Sequence, residues 1–85
     1  MSTEILIIDD NSDIRLILNE LITDAGYKTR QAANYNQALL EIDKKIPDVA
    51  IIDVKLDKGD NDGIELLNHI KKKNKDVPVI IISGH

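Results

Sequence analysis

The sequence predicts an α/β fold in which a doubly wound parallel sheet is covered by helices on both faces. Three observations predict it. The runs Ile5 to Ile8, Val49 to Ile52 and Val79 to Ile82 are β-branched and apolar without alternation, as strands buried on both faces are. Between them lie stretches with apolar residues at three- and four-residue spacing, long enough to be helical crossovers. Two of the runs stop at acids, Asp9-Asp10 and Asp53, which gathers polar groups at one end of the sheet.

The first run, Ile5-Leu6-Ile7-Ile8, ends at Asp9-Asp10-Asn11 and reads as a central strand. Ile14, Ile17, Leu18, Leu21, Ile22 and Ala25 then form the stripe of an amphipathic helix, with Asn11 or Ser12 as N-cap and Gly26 as terminator. Tyr27 to Ala32 is polar and alternating, as an edge strand is. Asn34 with Gln37 resembles a capping box for a second helix, whose apolar face is Tyr35, Ala38, Leu39 and Ile42 and which ends before Pro47. The next strand, Val49 to Ile52, is stopped by Asp53. Val54 to Asn61 is a polar, Gly-containing loop. Asp62 as N-cap, with Glu65 three residues on, opens a third helix carried by Ile64, Leu67 and Ile70. That helix ends in Lys71, Lys72, Lys73 and Lys75, cations that complement its dipole. Val77 to Ile82 is the fourth strand, followed by Ser83-Gly84-His85.

The resulting β-α-β-α-β-α-β order gives right-handed crossovers and a parallel sheet. Rossmann-like and flavodoxin-like windings both satisfy it, and both place functional groups at the carboxyl ends of the strands, where the winding reverses. Composition narrows the function. The formal charge of −4 disfavours a general binder of nucleic acid or anionic membranes. The absence of Cys excludes disulfide frameworks, thiol catalysis and zinc knuckles, and two tyrosines are too few for a stacking platform. No apolar run spans a bilayer and no signal-peptide pattern opens the chain, so a cytoplasmic, single-domain protein is expected.

At the strand ends stand Asp9 and Asp10, then Asp53, then Ser83. If the first and third strands are neighbours, three carboxylates converge, and such a cluster raises its own pKa values unless a cation joins it. An oxygen-only site with few protein ligands suits Mg²⁺, which keeps waters and accepts a phosphate oxygen. A carboxylate beside it can take a phosphoryl group as an acyl phosphate. Ser83 is placed to donate its hydroxyl to a phosphoryl oxygen. Other motifs fail. Neither G-x-G-x-x-G nor G-x-x-x-x-G-K-[ST] is present. The acidic stretch Asp57, Asp60, Asp62, Gly63 is no Ca²⁺ loop, because Lys58 stands where its first ligand belongs and His69 where its bidentate Glu belongs. His69 itself reads as a solvated helical residue.

Four blocks together carry a family likeness: Ile5-Leu-Ile-Ile-Asp9-Asp10-Asn11, Val49-Ala-Ile-Ile-Asp53-Val, Asp62-Gly63-Ile-Glu-Leu-Leu and Pro78-Val-Ile-Ile-Ile-Ser83-Gly84-His85. Over the whole chain they resemble the receiver domain of bacterial two-component response regulators. The resemblance implies a flavodoxin-like, CheY-like sheet in the order 2-1-3-4. It implies that Asp53 is the phosphoacceptor for a sensor histidine kinase's phosphohistidine, that Asp9 and Asp10 hold Mg²⁺ with Asp53 and the backbone carbonyl of Lys55, and that Ser83 is the switch hydroxyl. It implies a signalling switch that catalyses only its own phosphorylation and dephosphorylation. The long loop after Asp53, with Asp57 where proline is usual, and the ending Ser-Gly-His look like receivers of nitrogen-regulation transcription factors of the enhancer-binding class.

Two other readings compete on the residues. A haloacid-dehalogenase-like phosphatase also uses Mg²⁺ and a strand-end Asp, but wants a second acid where this chain has Lys55. A pseudo-receiver that only binds partners is disfavoured by the intact Asp9, Asp10 and Asp53. The family's fifth strand, with its lysine, and its last two helices have no counterpart in residues 1–85, so a receiver cut after the fourth strand is expected. That would leave Val79 to Ile82 as a bare apolar edge open to self-association, and part of one sheet face open to water.

Overall fold

The computed structural model describes residues 3–82. Its elements are β1 (Glu4–Ile8), α1 (Ser12–Asp24), β2 (Lys28–Ala32), α2 (Tyr35–Lys44), β3 (Val49–Asp53), α3 (Asp62–Lys73) and β4 (Val79–Ile82). All pairings are parallel and the sheet order is β2-β1-β3-β4. The chain thus runs outward from β1 to β2 and then crosses back over β1 to β3, so the winding reverses between β1 and β3. That is the flavodoxin-like winding; the Rossmann winding would seat β3 beyond β2.

One face of the sheet carries the main core. Leu6, Ile8, Ala50 and Ile52 meet Ala38 and Ile42 of α2 and Leu66 and Ile70 of α3, all fully buried. Leu56, from the polar loop after β3, drops into the same core. The other face holds α1 over β1 and β2, and here the expected stripe is only half used. No residue of α1 is buried; Leu18 and Ile22 are half-buried. Ile17 and Leu21 are 52% and 64% exposed, and Ile80 of β4 is 51% exposed. Ile14, Ile17 and Leu21 flank the contact line, and nothing among the described residues rises beside α1 to meet them.

Local chemistry explains where elements start and stop. Asn11 caps α1, accepting from the N–H groups of Asp13 (2.9 Å) and Ile14 (3.2 Å), and Gly26 follows the helix with a φ of +98°. Asn34 caps α2 through the Gln37 N–H at 2.8 Å, while the Gln37 side chain reaches the N–H of Ala33 instead of that of Asn34. β4 begins at Val79 and not at Val77, because Pro78 has no N–H and Val77 donates to the Asn74 carbonyl. Arg30, on the edge strand β2, is half-buried. It donates to Glu4 Oε1 (2.9 Å), to the carbonyl and Oε1 of Glu41 (2.8 and 3.0 Å) and to the Lys45 carbonyl (2.6 Å). One guanidinium therefore ties β1 to β2 and satisfies the carbonyl end of α2.

At the far end of α3, two of the basic residues find partners outside the helix. Lys71 donates to the carbonyls of Lys75 and Val77, and Lys73 pairs with Asp43 of α2 at 3.1 Å. His69 is not simply solvated: its Nε2 lies 2.8 Å from Asp43 Oδ1, which bridges α2 and α3. Hydrogen bonds from His69 and Lys73 hold the Asp43 carboxyl below its usual range. Among the described residues no helix is long and apolar enough to cross a membrane.

Candidate functional site

Adjacent strands bring the acids together. Ile8 of β1 is in register with Ile52 of β3, so Asp9, which follows β1, stands beside Asp53, the last residue of β3. Carboxylate oxygens of Asp9, Asp10 and Asp53 all lie within 4.8 Å of one another. Asp9 and Asp53 are buried and Asp10 is exposed, so the acidic cluster is open to solvent on the Asp10 side. Burial pushes the Asp9 carboxyl above its ordinary range; the Asn11 N–H at 2.9 Å opposes this, the charges of Asp53 and Asp10 add to it, and Arg15 offsets it.

The backbone around Asp53 is fixed from α3. Its Oδ1 accepts from the Lys55 N–H at 3.2 Å, and the Val54 N–H reaches the Ile82 carbonyl of β4 at 3.1 Å. The Gly63 N–H donates to the Val54 carbonyl at 2.9 Å. A Cβ on Gly63 would sit 2.6 Å from both the Asp53 carbonyl oxygen and the Val54 Cα, so only glycine lets α3 approach this closely. Asp62 is not the N-cap that the sequence suggests: Asn61 holds that position, and the buried Asp62 carboxylate turns back to accept from the Lys58 and Gly59 N–H groups at 2.8 and 3.0 Å. Its job is to close the loop after the site. Asp57 in that loop accepts from the Tyr35 N–H at 2.9 Å, which tethers the loop to the start of α2, and the Tyr35 hydroxyl donates to Glu65 of α3.

The structure brings Asp9, Asp10 and Asp53 together and sets the Lys55 peptide against Asp53; the Lys55 side chain turns outward to Asp60 at 3.4 Å. Ser83 lies outside the described residues. The donor set fits a hard divalent cation, since it consists of oxygens alone, clustered and mutually repulsive. Sequence reasoning missed Arg15, whose Nη1 donates to the Asp9 carbonyl at 2.7 Å, and missed the clasp by Asp62. Arg15 stands one helical turn after the N-cap Asn11, a position from which a long side chain can reach back over the acidic turn; that spacing was the available signal.

Residues 5–85 match the family model described as the response regulator receiver domain. The chain belongs to this family. The receiver is 40% identical over 85 residues to the nitrogen assimilation regulatory protein NtrX of Azorhizobium caulinodans, covering all of this chain and 19% of that protein. It is 41% identical to sporulation initiation phosphotransferase F of Bacillus subtilis, covering all of this chain and 67% of the relative. Among solved structures, the response regulator TrrA of Thermotoga maritima superposes with a TM-score of 0.86 at 30% identity, over 98% of this receiver and 70% of that chain. The receiver thus spans about a fifth of NtrX's length and about two thirds of the phosphotransferase.

Proposed function

We propose that this receiver accepts a phosphoryl group on Asp53 from the phosphohistidine of a sensor histidine kinase. The observation that carries this is the convergence of Asp9, Asp10 and Asp53 within 4.8 Å at the point where the sheet's winding reverses. A carboxylate oxygen of Asp53 forms the new O–P bond as the N–P bond breaks, and the electron pair leaves with the imidazole. Asp9, Asp10, Asp53 and the Lys55 backbone carbonyl would hold Mg²⁺, which supplies charge neutralisation for the phosphoryl oxygens. TrrA, a receiver relative of the same fold, was solved with Mg²⁺ and BeF, which supports the same occupants here. The residues around the acids serve position: Gly63 and Asp62 hold the Asp53 backbone and loop, and Asp9 is braced by Asn11.

On this reading the chain catalyses only its own phosphorylation and dephosphorylation, in the cytoplasm, and Ser83 is its switch hydroxyl. The likeness to NtrX supports an output in transcription regulation. The outer edge of β4, which no described residue pairs, supports self-association of the chain as a further partner interaction. The deciding experiment is labelling with acetyl phosphate and Mg²⁺. Wild type should form a base-labile acyl phosphate, and Asp53→Asn should form none; label that persists in the Asn variant places the acceptor elsewhere. Failure of folded wild type to label or to bind Mg²⁺ would leave a partner-binding module in its place.

A further inference from the structure

We propose that Arg15 is a positioning residue that shapes the Asp9-Asp10 turn for a divalent cation before the cation arrives; this rests on the receiver reading of the acidic cluster. The turn between β1 and α1 is gripped at two points. The Asp9 side chain accepts from the Asn11 N–H at 2.9 Å, and the Asp9 carbonyl accepts from Arg15 Nη1 at 2.7 Å. That carbonyl belongs to the peptide unit from which Asp10 springs. Asp10 is exposed, so its carboxylate takes its direction from the backbone and not from packing. Whatever fixes the Asp9–Asp10 peptide therefore aims Asp10 at the other two acids. Arg15 is well suited to do so. It is half-buried, it stands in the first turns of a helix that Asn11 anchors, and its own N–H bonds to the Asn11 carbonyl at 3.1 Å. Its guanidinium is rigidly planar, which holds the donor in a fixed direction.

Charge and position make opposite predictions here. As a cation, Arg15 repels Mg²⁺, so removing it should tighten binding if charge were its whole effect. As a positioning group, removing it should weaken binding, because Asp10 loses its aim and the ordering cost falls on the binding step. The proposal is that position wins.

The test is a Mg²⁺ titration of the protein followed by amide NMR shifts at Asp10 and Asn11, alongside thermal unfolding without Mg²⁺. In Arg15→Met, which keeps length and loses donor and charge, Mg²⁺ affinity should fall by about tenfold, the low end for groups that orient metal ligands. The Asp10 amide should also shift in the absence of Mg²⁺. Arg15→Lys, which keeps a donor within reach of the carbonyl, should recover most of the affinity. A methionine variant that is folded and binds Mg²⁺ as tightly as wild type, or more tightly, overturns the positioning role while the receiver reading stands. So does a folded lysine variant whose Mg²⁺ affinity falls by about tenfold or more from wild type, an arm that decides the matter even if the methionine variant fails to fold. Wild type that binds no Mg²⁺ sinks both the inference and the reading beneath it.

Discussion

Gly63 matters through the side chain that it lacks. The 2.6 Å separations from the Asp53 oxygen and the Val54 Cα are to backbone atoms, which cannot swing aside as a flexible side chain would. Gly63→Ala should therefore cost about 1–3 kcal/mol of stability by overpacking and should also slow Asp53 labelling, because the displaced atoms carry the acceptor. Urea unfolding and acetyl phosphate labelling read the two effects separately; an alanine variant that is as stable and as readily labelled as wild type would show that α3 does not brace the site. Asp62 is the second such residue. Its buried carboxylate accepts two loop N–H groups, so Asp62→Ala should cost about 2 kcal/mol, measurable by the same unfolding curves. Both residues were visible in the sequence as an Asp-Gly pair opening a helix. What was not visible was that Asp62 would face backward to the loop, since the local pattern of an acid followed three residues later by Glu is the same for either role.

Elements in this chain are joined by a small number of polar contacts, and Arg30 is the chief of them. It links β2 to β1 through Glu4 and to the end of α2 through Glu41 and Lys45. Arg30→Ala should lower stability by about 2 kcal/mol, since charge-assisted bonds to partly buried partners are lost together. The Glu41 carboxyl is held below its ordinary value of 4.5, chiefly by the Arg30 hydrogen bond. A depressed folded pKa means that the stabilisation is complete above the unfolded value and is lost as pH falls through the folded one. Wild type should thus lose stability on acidification below about pH 4.5, and the arginine variant should show a shallower loss over that window. Equal pH slopes in the two proteins would mean that Glu41 does not draw on this contact. Strand and helix order, the caps at Asn11 and Asn34 and the stop at Gly26 were all legible, because each rests on residues within one turn of one another. Arg30's role was not, because its partners stand 26, 11 and 15 residues away.

At the scale of the whole molecule, apolar surface is unevenly covered. Ile17, Leu21 and Ile80 are each more than half exposed, on the α1 side of the sheet and at its β4 edge. Such a surface beside a strand edge that no described residue pairs favours association. Sedimentation of this chain should show concentration-dependent oligomers, and Ile80→Lys, a charge placed on the edge strand, should shift it toward monomer; a strictly monomeric wild type across concentrations would rule out the edge as a contact. The sequence by itself determined the element order, the parallel sheet, the strand-end acids and the family, because apolar periodicity and short motifs are local and survive without coordinates. The tertiary structure decided between the two windings that the residue pattern left open and seated β1 beside β3, as the family likeness implied, which turns separate acids into one cluster. It alone decided that Arg15 reaches back to the Asp9 carbonyl and that half of the α1 stripe faces water. Those outcomes depend on which segments meet in space, and residues distant in the chain carry no local mark of the partners they will find.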